Sequence, residues 1–189
     1  MRRRRSGGQT VAGTVRRLPV VGVMGSGTQA HVDKAEPLGR WLAGLGVHLL
    51  TGGGPGVMAA ASRAFAETPG RAGWVIGIVP GEVTPQGYRP RAGYPNPWVE
   101  IPILTHLPLS GAQGMDPRSR NHINVLSATV VVALPGGSGT ASEVGLALRY
   151  GRPVVAWLDR PEQIPDLPGD VPVVGSLEDV QRFVQEHLP

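Results

Sequence analysis

Short, almost wholly apolar runs alternate along this chain with stretches whose apolar positions recur every three or four residues. Leu18–Met24, Val47–Thr51, Trp74–Pro80, Thr129–Leu134 and Val154–Leu158 read as strands. They lack the in-out alternation of a half-exposed sheet, so they are expected to be buried on both faces. Between them the spacing predicts helices. Leu38, Trp41, Leu42 and Leu45 form one stripe that Gly46 ends, with Asp33 and Glu36 placed as a capping-box pair and Pro37 in the first turn. An alanine-rich helix follows to about Ala66, and another spans Asp116–Ala128 with Pro117 at its first position. A further helix carries Val144, Leu146, Ala147 and Leu148, and Leu177–Leu188 closes the chain after a last short strand, Val171–Val174. Strands alternating with helices predict an α/β fold: a Rossmann-like, doubly wound parallel sheet in three layers, as a single domain.

Three of the strands run straight into glycine turns. Gly25, Ser26 and Gly27 follow the first; Gly52, Gly53 and Gly54 follow the second; Gly136, Gly137, Ser138, Gly139 and Thr140 follow Thr129–Leu134. A strand, a glycine turn and a helix aim unbonded backbone N–H groups at one point, where the helix dipole adds about half a positive charge. Glycine lets the backbone approach a ligand closely, and Ser138 and Thr140 supply hydroxyl donors. A tight connection between strand and helix would use the same residues, so one turn alone decides little. All three, however, lie at the carboxyl ends of strands, the edge at which parallel sheets bind ligands. Their convergence predicts a nucleotide-sized pocket. Glu143, expected in the first turn of the helix after the third glycine turn, would then face a neutral part of the ligand.

Charge is unevenly placed. Of 18 basic residues, Arg2 to Arg5, Arg16 and Arg17 precede any acid, and from Leu18 onward 12 basic residues face 14 acidic ones. Residues 1–17 therefore read as a disordered basic arm and 18–189 as the folded domain. The arm could touch nucleic acid, but a solvated tail is the favoured reading. Arg16 and Arg17 precede an apolar stretch too short for an export signal. No run reaches the roughly 18–20 apolar residues of a membrane span, which points to a cytoplasmic protein. The chain has no cysteine, and its five histidines show no metal-binding spacing, so no metal and no cofactor is expected.

Residues 81–117 break the alternation. They are rich in proline and carry Tyr88, Arg89, Arg91, Tyr94 and Trp98, with Val99–Leu104 as a possible short strand. A long irregular segment in a compact domain is typically a lid, a binding loop or a subunit contact. The rings suit either stacking on a base or packing into an interface.

The string PGGSGTASE, Pro135 to Glu143, resembles the PGGxGTxxE signature of the LOG-like family. These are nucleoside-monophosphate phosphoribohydrolases, often labelled lysine decarboxylases, and the wider superfamily includes nucleotide nucleosidases and a molybdenum-cofactor carrier. The likeness extends from about Val20 to Val155. It implies that GGGPGVM, Gly52 to Met58, opens a nucleotide pocket. It also implies that Arg120, fifteen residues before Pro135, and Glu143 are catalytic. Cleaving an N-glycosidic bond develops oxocarbenium character on the ribose, which a carboxylate can stabilise while the arginine holds phosphate or sugar. Asn124 shares a helical face with Arg120. Two positions depart from the enzymes: Asn121 stands where they carry lysine, and Ser142 where they carry the first of two glutamates. RNHINVLSAT, Arg120 to Thr129, looks more like the branch with the molybdenum-cofactor carrier.

The implied function is a phosphoribohydrolase acting on nucleoside monophosphates, with Asn121 joining the glycine turns in binding. The alternative is a non-catalytic carrier of a nucleotide or pterin-type ligand in the same pocket. The resemblance also implies a homodimer or larger homo-oligomer. A lysine decarboxylase is excluded: pyridoxal phosphate needs a Schiff-base lysine, and the sole lysine, Lys34, is expected on a surface helix. A nicotinamide dehydrogenase would need a ribose-binding acid at the end of strand two, but none lies between Glu36 and Glu67.

Overall fold

A computed structural model describes residues 17–189, so the arm expected at 1–17 falls, all but its last residue, outside the described residues. The elements are β1 (Val20–Met24), α1 (Val32–Gly44), β2 (His48–Thr51), α2 (Val57–Ala66), β3 (Val75–Val79), β4 (Gly81–Thr84), β5 (Gly87–Pro90), β6 (Ile101–Leu104), α3 (Asn121–Ser127), β7 (Val130–Ala133), α4 (Ser138–Arg149), β8 (Val154–Trp157), β9 (Val173–Val174) and α5 (Leu177–His187). Seven strands form one sheet in the order β6-β3-β2-β1-β7-β8-β9, and every pairing is parallel. The expected doubly wound sheet is present, and its order reverses between β1 and β7.

Alternation along the strands divides the core. Val130 and Val132 of β7 face one layer, with Leu38 and Leu42 of α1, Phe65 of α2, and Val180 and Val184 of α5. Val131 and Ala133 face the other, with Val125 of α3 and Val144, Leu146 and Ala147 of α4. Both faces of β7 are apolar because both are covered, which is why its sequence shows no polar alternation.

Several local expectations are corrected. Asp33 does not cap α1: the helix opens one residue earlier, after His31 in a left-handed conformation (φ 40°). Pro37 consequently lies inside α1 rather than in its first turn. Glu36 turns outward to Arg40 and Arg63, whose hydrogen bonds hold its carboxyl below the ordinary range. The helix expected over Asp116–Ala128 begins only at Asn121. Asp116 instead accepts from the Arg118 backbone N–H at 2.8 Å, a local turn that competes with helix. Lys34 is not on the surface: it is 6% exposed, bonded to Asp159 at 2.9 Å, and its ammonium lies 4.9 Å from the Trp157 ring centroid. The irregular segment contains a β4–β5 antiparallel hairpin, and the strand expected within Val99–Leu104 is β6, an edge strand of the main sheet. No helix of the described residues is long and apolar enough to cross a membrane.

Candidate functional site

The carboxyl ends of β1 and β7 meet at the point where the sheet order reverses, and a cavity of about 500 Å³ opens there. The third glycine turn supplies one wall. Gly137 is extended (φ −95°, ψ −154°) and ends the loop, so α4 already begins at Ser138. The first intrahelical bond is Ala141 N–H to the Gly137 carbonyl at 3.0 Å, which leaves the N–H groups of Ser138, Gly139 and Thr140 at the helix start without helical acceptors. These residues line the cavity, and no acid occupies the first turn of α4. Open N–H groups and the positive end of the helix dipole coincide there, the arrangement that favours an anion.

The first glycine turn forms the adjoining wall. Ser26 Oγ accepts from the backbone N–H groups of Thr28 at 3.2 Å and Gln29 at 3.0 Å, and the Ser26 N–H donates to the Pro135 carbonyl at 3.0 Å. Gly25, Ser26, Gly27 and Thr28 are thereby stitched to the third turn, and all four line the cavity.

The second glycine turn acts differently from the expectation. Gly52, Gly53 and Gly54 are not among the cavity's lining residues. A Cβ on Gly52 would fall on the guanidinium of Arg120, and one on Gly54 would come within 2.6 Å of the Tyr94 ring. Gly53 has φ +74°, which favours glycine, and its carbonyl accepts from Asn96 N–H at 2.7 Å. This turn is the bed on which two cavity residues lie. Gly136 is likewise a spacer: a Cβ there would strike Thr140 Oγ1.

Arg120 immediately precedes α3 and is 4% exposed. Its Nη1 donates to the Ile78 carbonyl at 3.0 Å, and its guanidinium carbon sits 5.7 Å from the Tyr94 ring centroid. Its Nε has no partner among the described residues. Burial lowers its pKa, and the Glu143 charge opposes that shift. Glu143 lies in the second turn of α4, not the first, because the helix starts earlier than its pattern suggested. It is 7% exposed, and its Oε1 accepts from Asn124 Nδ2 at 2.7 Å. Burial raises its pKa, against the Arg120 charge and the Asn124 bond. Both side chains line the cavity without forming an ion pair with each other. Asn121, 2% exposed, joins the same wall.

Residues that the sequence reading did not assign complete the enclosure. Arg91 lines the cavity, its Nη1 donating to Ser110 Oγ at 2.7 Å. Tyr94, Ala92, Ser110 and Gly111 add to the lining, and so do Pro55 and Met58 of the GGGPGVM string expected at the pocket. Arg91 and Tyr94 stood out only as polar and aromatic residues in the irregular segment. Nothing local marked Ser110 or Gly111. Ser142 explains their position: its Oγ donates to the Ser138 carbonyl at 2.8 Å and lies 3.2 Å from the Gly111 carbonyl, and a Cβ on Gly114 would come within 2.5 Å of the Ser142 Cβ. The small residue at 142 lets the 110–114 loop pack against α4. Among the described residues, no three His, Asp or Glu side chains gather as a metal site.

The SLOG cluster4 family model matches residues 18–179, spanning the sheet and the cavity and ending in the first turn of the closing helix. The chain belongs to the SLOG cluster4 family. Solved structures resembling this SLOG protein include the molybdenum cofactor binding protein of Rippkaea orientalis, 33% identical, with a TM-score of 0.69 and coverage of 91% of this chain and 98% of that one. The Moco carrier protein of Chlamydomonas reinhardtii is also 33% identical, at a TM-score of 0.65 over 90% of this chain and 99% of that one. DNA processing protein A of Helicobacter pylori shares the fold at 14% identity, with a TM-score of 0.63 over 90% of this chain and 82% of that one. No functionally curated protein matches the SLOG chain.

Proposed function

We propose that this protein is a carrier for a phosphorylated, ring-bearing small molecule, with a molybdenum-cofactor-type pterin as the cargo that fits best. The observation that carries this reading is the pairing of the open α4 start with the guanidinium groups of Arg91 and Arg120 in one cavity of about 500 Å³. Phosphate would bind at Ser138–Thr140, where backbone donors and dipole act together. The unpartnered Arg120 Nε is a buried polar atom of a cavity-lining residue that a ligand's ring edge could satisfy. The cavity falls in the range of small-molecule sites. Burial raises the pKa of Glu143 above that of an exposed glutamate, against the Arg120 charge and the Asn124 bond, which lessens its repulsion of a phosphate. The two relatives at 33% identity, a molybdenum cofactor binding protein and a Moco carrier protein, favour a carrier over an enzyme. Asn121 and Ser142, in place of the lysine and glutamate of the phosphoribohydrolases, point the same way.

A phosphoribohydrolase remains the second reading, supported by Arg120 and Glu143 facing one cavity with Asn124 orienting the carboxyl. Purified protein would be titrated with molybdenum cofactor and with nucleoside 5′-monophosphates, following tryptophan fluorescence and free base together. Saturable pterin binding without base release is the expected result. Release of free base that Glu143→Gln abolishes would establish the hydrolase instead. A homo-oligomer belongs to the same proposal and is read by sedimentation velocity.

A further inference from the structure

A second concavity of about 480 Å³ adjoins the first, walled by Gly81, Glu82, Arg89, Pro90 and Pro108. It lies under the β4–β5 hairpin, and the two spaces share Arg91 and Ala92 as lining residues. Arg91 therefore stands on the boundary between them. Its backbone is fixed on both sides: its N–H donates to the Pro80 carbonyl at 2.9 Å, and its carbonyl accepts from Tyr94 N–H at 3.0 Å. Its side chain makes one protein bond, from Nη1 to Ser110 Oγ. A guanidinium has five N–H donors in a rigid fork suited to phosphate oxygens, so most of its donor capacity remains for a ligand.

The lining of the second space also carries an ion pair. Arg89 donates from Nε at 2.8 Å and from Nη2 at 2.6 Å to Glu82 Oε1. This pair occupies one Glu82 oxygen and leaves Oε2 as an acceptor for amino or hydroxyl groups. Pro90, Pro108 and Gly81 add apolar surface to the same lining. A cationic fork shared by the two spaces, with apolar walls and a donor–acceptor pair lining the second, matches a pyrophosphate followed by a nucleoside.

We infer that the hairpin space is a second subsite, and that the ligand it completes is a dinucleotide-type molecule whose pyrophosphate crosses at Arg91. This rests on the proposed reading of the first cavity and extends it. The test compares short and extended ligands by isothermal titration: molybdenum cofactor against its cytidine dinucleotide form, and AMP against diadenosine pyrophosphate. The extended member of the pair that binds is expected to bind at least about tenfold tighter. In Arg89→Ala the ratio should fall toward one, whereas Arg91→Ala should weaken both members. Equal affinities in the native protein, or a ratio that Arg89→Ala leaves intact, would overturn the subsite while leaving the first cavity's function standing. Failure of all four ligands to bind would overturn both.

Discussion

Asn124 Nδ2 donates to Glu143 Oε1 at 2.7 Å, joining α3 to α4 beneath the cavity. Asn124 is 0% exposed, and its amide oxygen has no partner among the described residues. The bond therefore fixes the orientation of the one carboxyl group in the cavity wall. Asn124→Ala leaves that buried carboxyl without its donor, so stability should fall by about 1–3 kcal/mol. Ligand affinity should fall with it. Urea denaturation and titration on the same variant check both, and an unchanged urea midpoint would refute the role assigned to this bond.

The raised pKa of Glu143 gives a pH dependence of known sign. Its folded value lies above its unfolded one, so the folded state holds the proton more tightly. The stabilisation is fully present below the ordinary glutamate value and is lost as pH rises through the raised value. Anion affinity should fall across the same interval, because ionised Glu143 repels phosphate. In Glu143→Gln both dependences should flatten. Glu36, Asp116 and Asp159, whose values are lowered by hydrogen bonds to Arg40, Arg118 and Lys34, lose their contribution at lower pH, while His48, lowered by burial, adds a dependence of opposite sign that native and variant share. A native-like pH slope in the glutamine variant would assign the effect to another group.

Ser142 is where the hydrolase pattern has glutamate, and here it packs beneath Gly111 and Gly114. Ser142→Glu would push a longer side chain into that contact. Overpacking of this kind costs about 1–3 kcal/mol. The 110–114 loop should move off α4, taking the Ser110 anchor of Arg91 with it. Hydrogen exchange of residues 110–114 is the direct readout, and unchanged protection there would show that the site tolerates the glutamate.

Gly52→Ala isolates the bed beneath Arg120. Gly52 is not among the positive-φ glycines, so alanine strains no backbone angle, and the three atoms nearest its Cβ all belong to the guanidinium. The variant should lose ligand affinity much as Arg120→Ala does. A double-mutant cycle should give a coupling of about 0.5–3 kcal/mol. Additive effects on binding would separate Gly52 from the site.

These residues show where the sequence was legible. Val130–Ala133 and Val154–Trp157 could be read because a strand covered on both faces must be apolar at every position. The glycine turn at 136–139 could be read because only small residues leave helix N–H groups open to a ligand. The helix ends were harder. Asp33 and Asp116 each sit where a cap would be expected, yet His31 opens α1 and Asp116 folds back on Arg118. Local hydrogen bonds of nearly equal strength compete at such ends, and tertiary packing chooses among them.

The sequence by itself determined the layer order, the sheet and the edge at which three glycine turns collect, because burial periodicity and backbone freedom are properties of neighbouring residues. The tertiary structure alone decided what each glycine does. Gly137 ends in an extended conformation that exposes the start of α4, whereas Gly52 and Gly54 vanish beneath Arg120 and Tyr94 from 68 and 40 residues further along. It also decided that Ser110 meets Arg91, that Asn124 meets Glu143, and that the sole lysine is buried against Trp157. Each of those contacts joins segments far apart in the chain, and a periodic pattern carries no record of which distant surface will cover it.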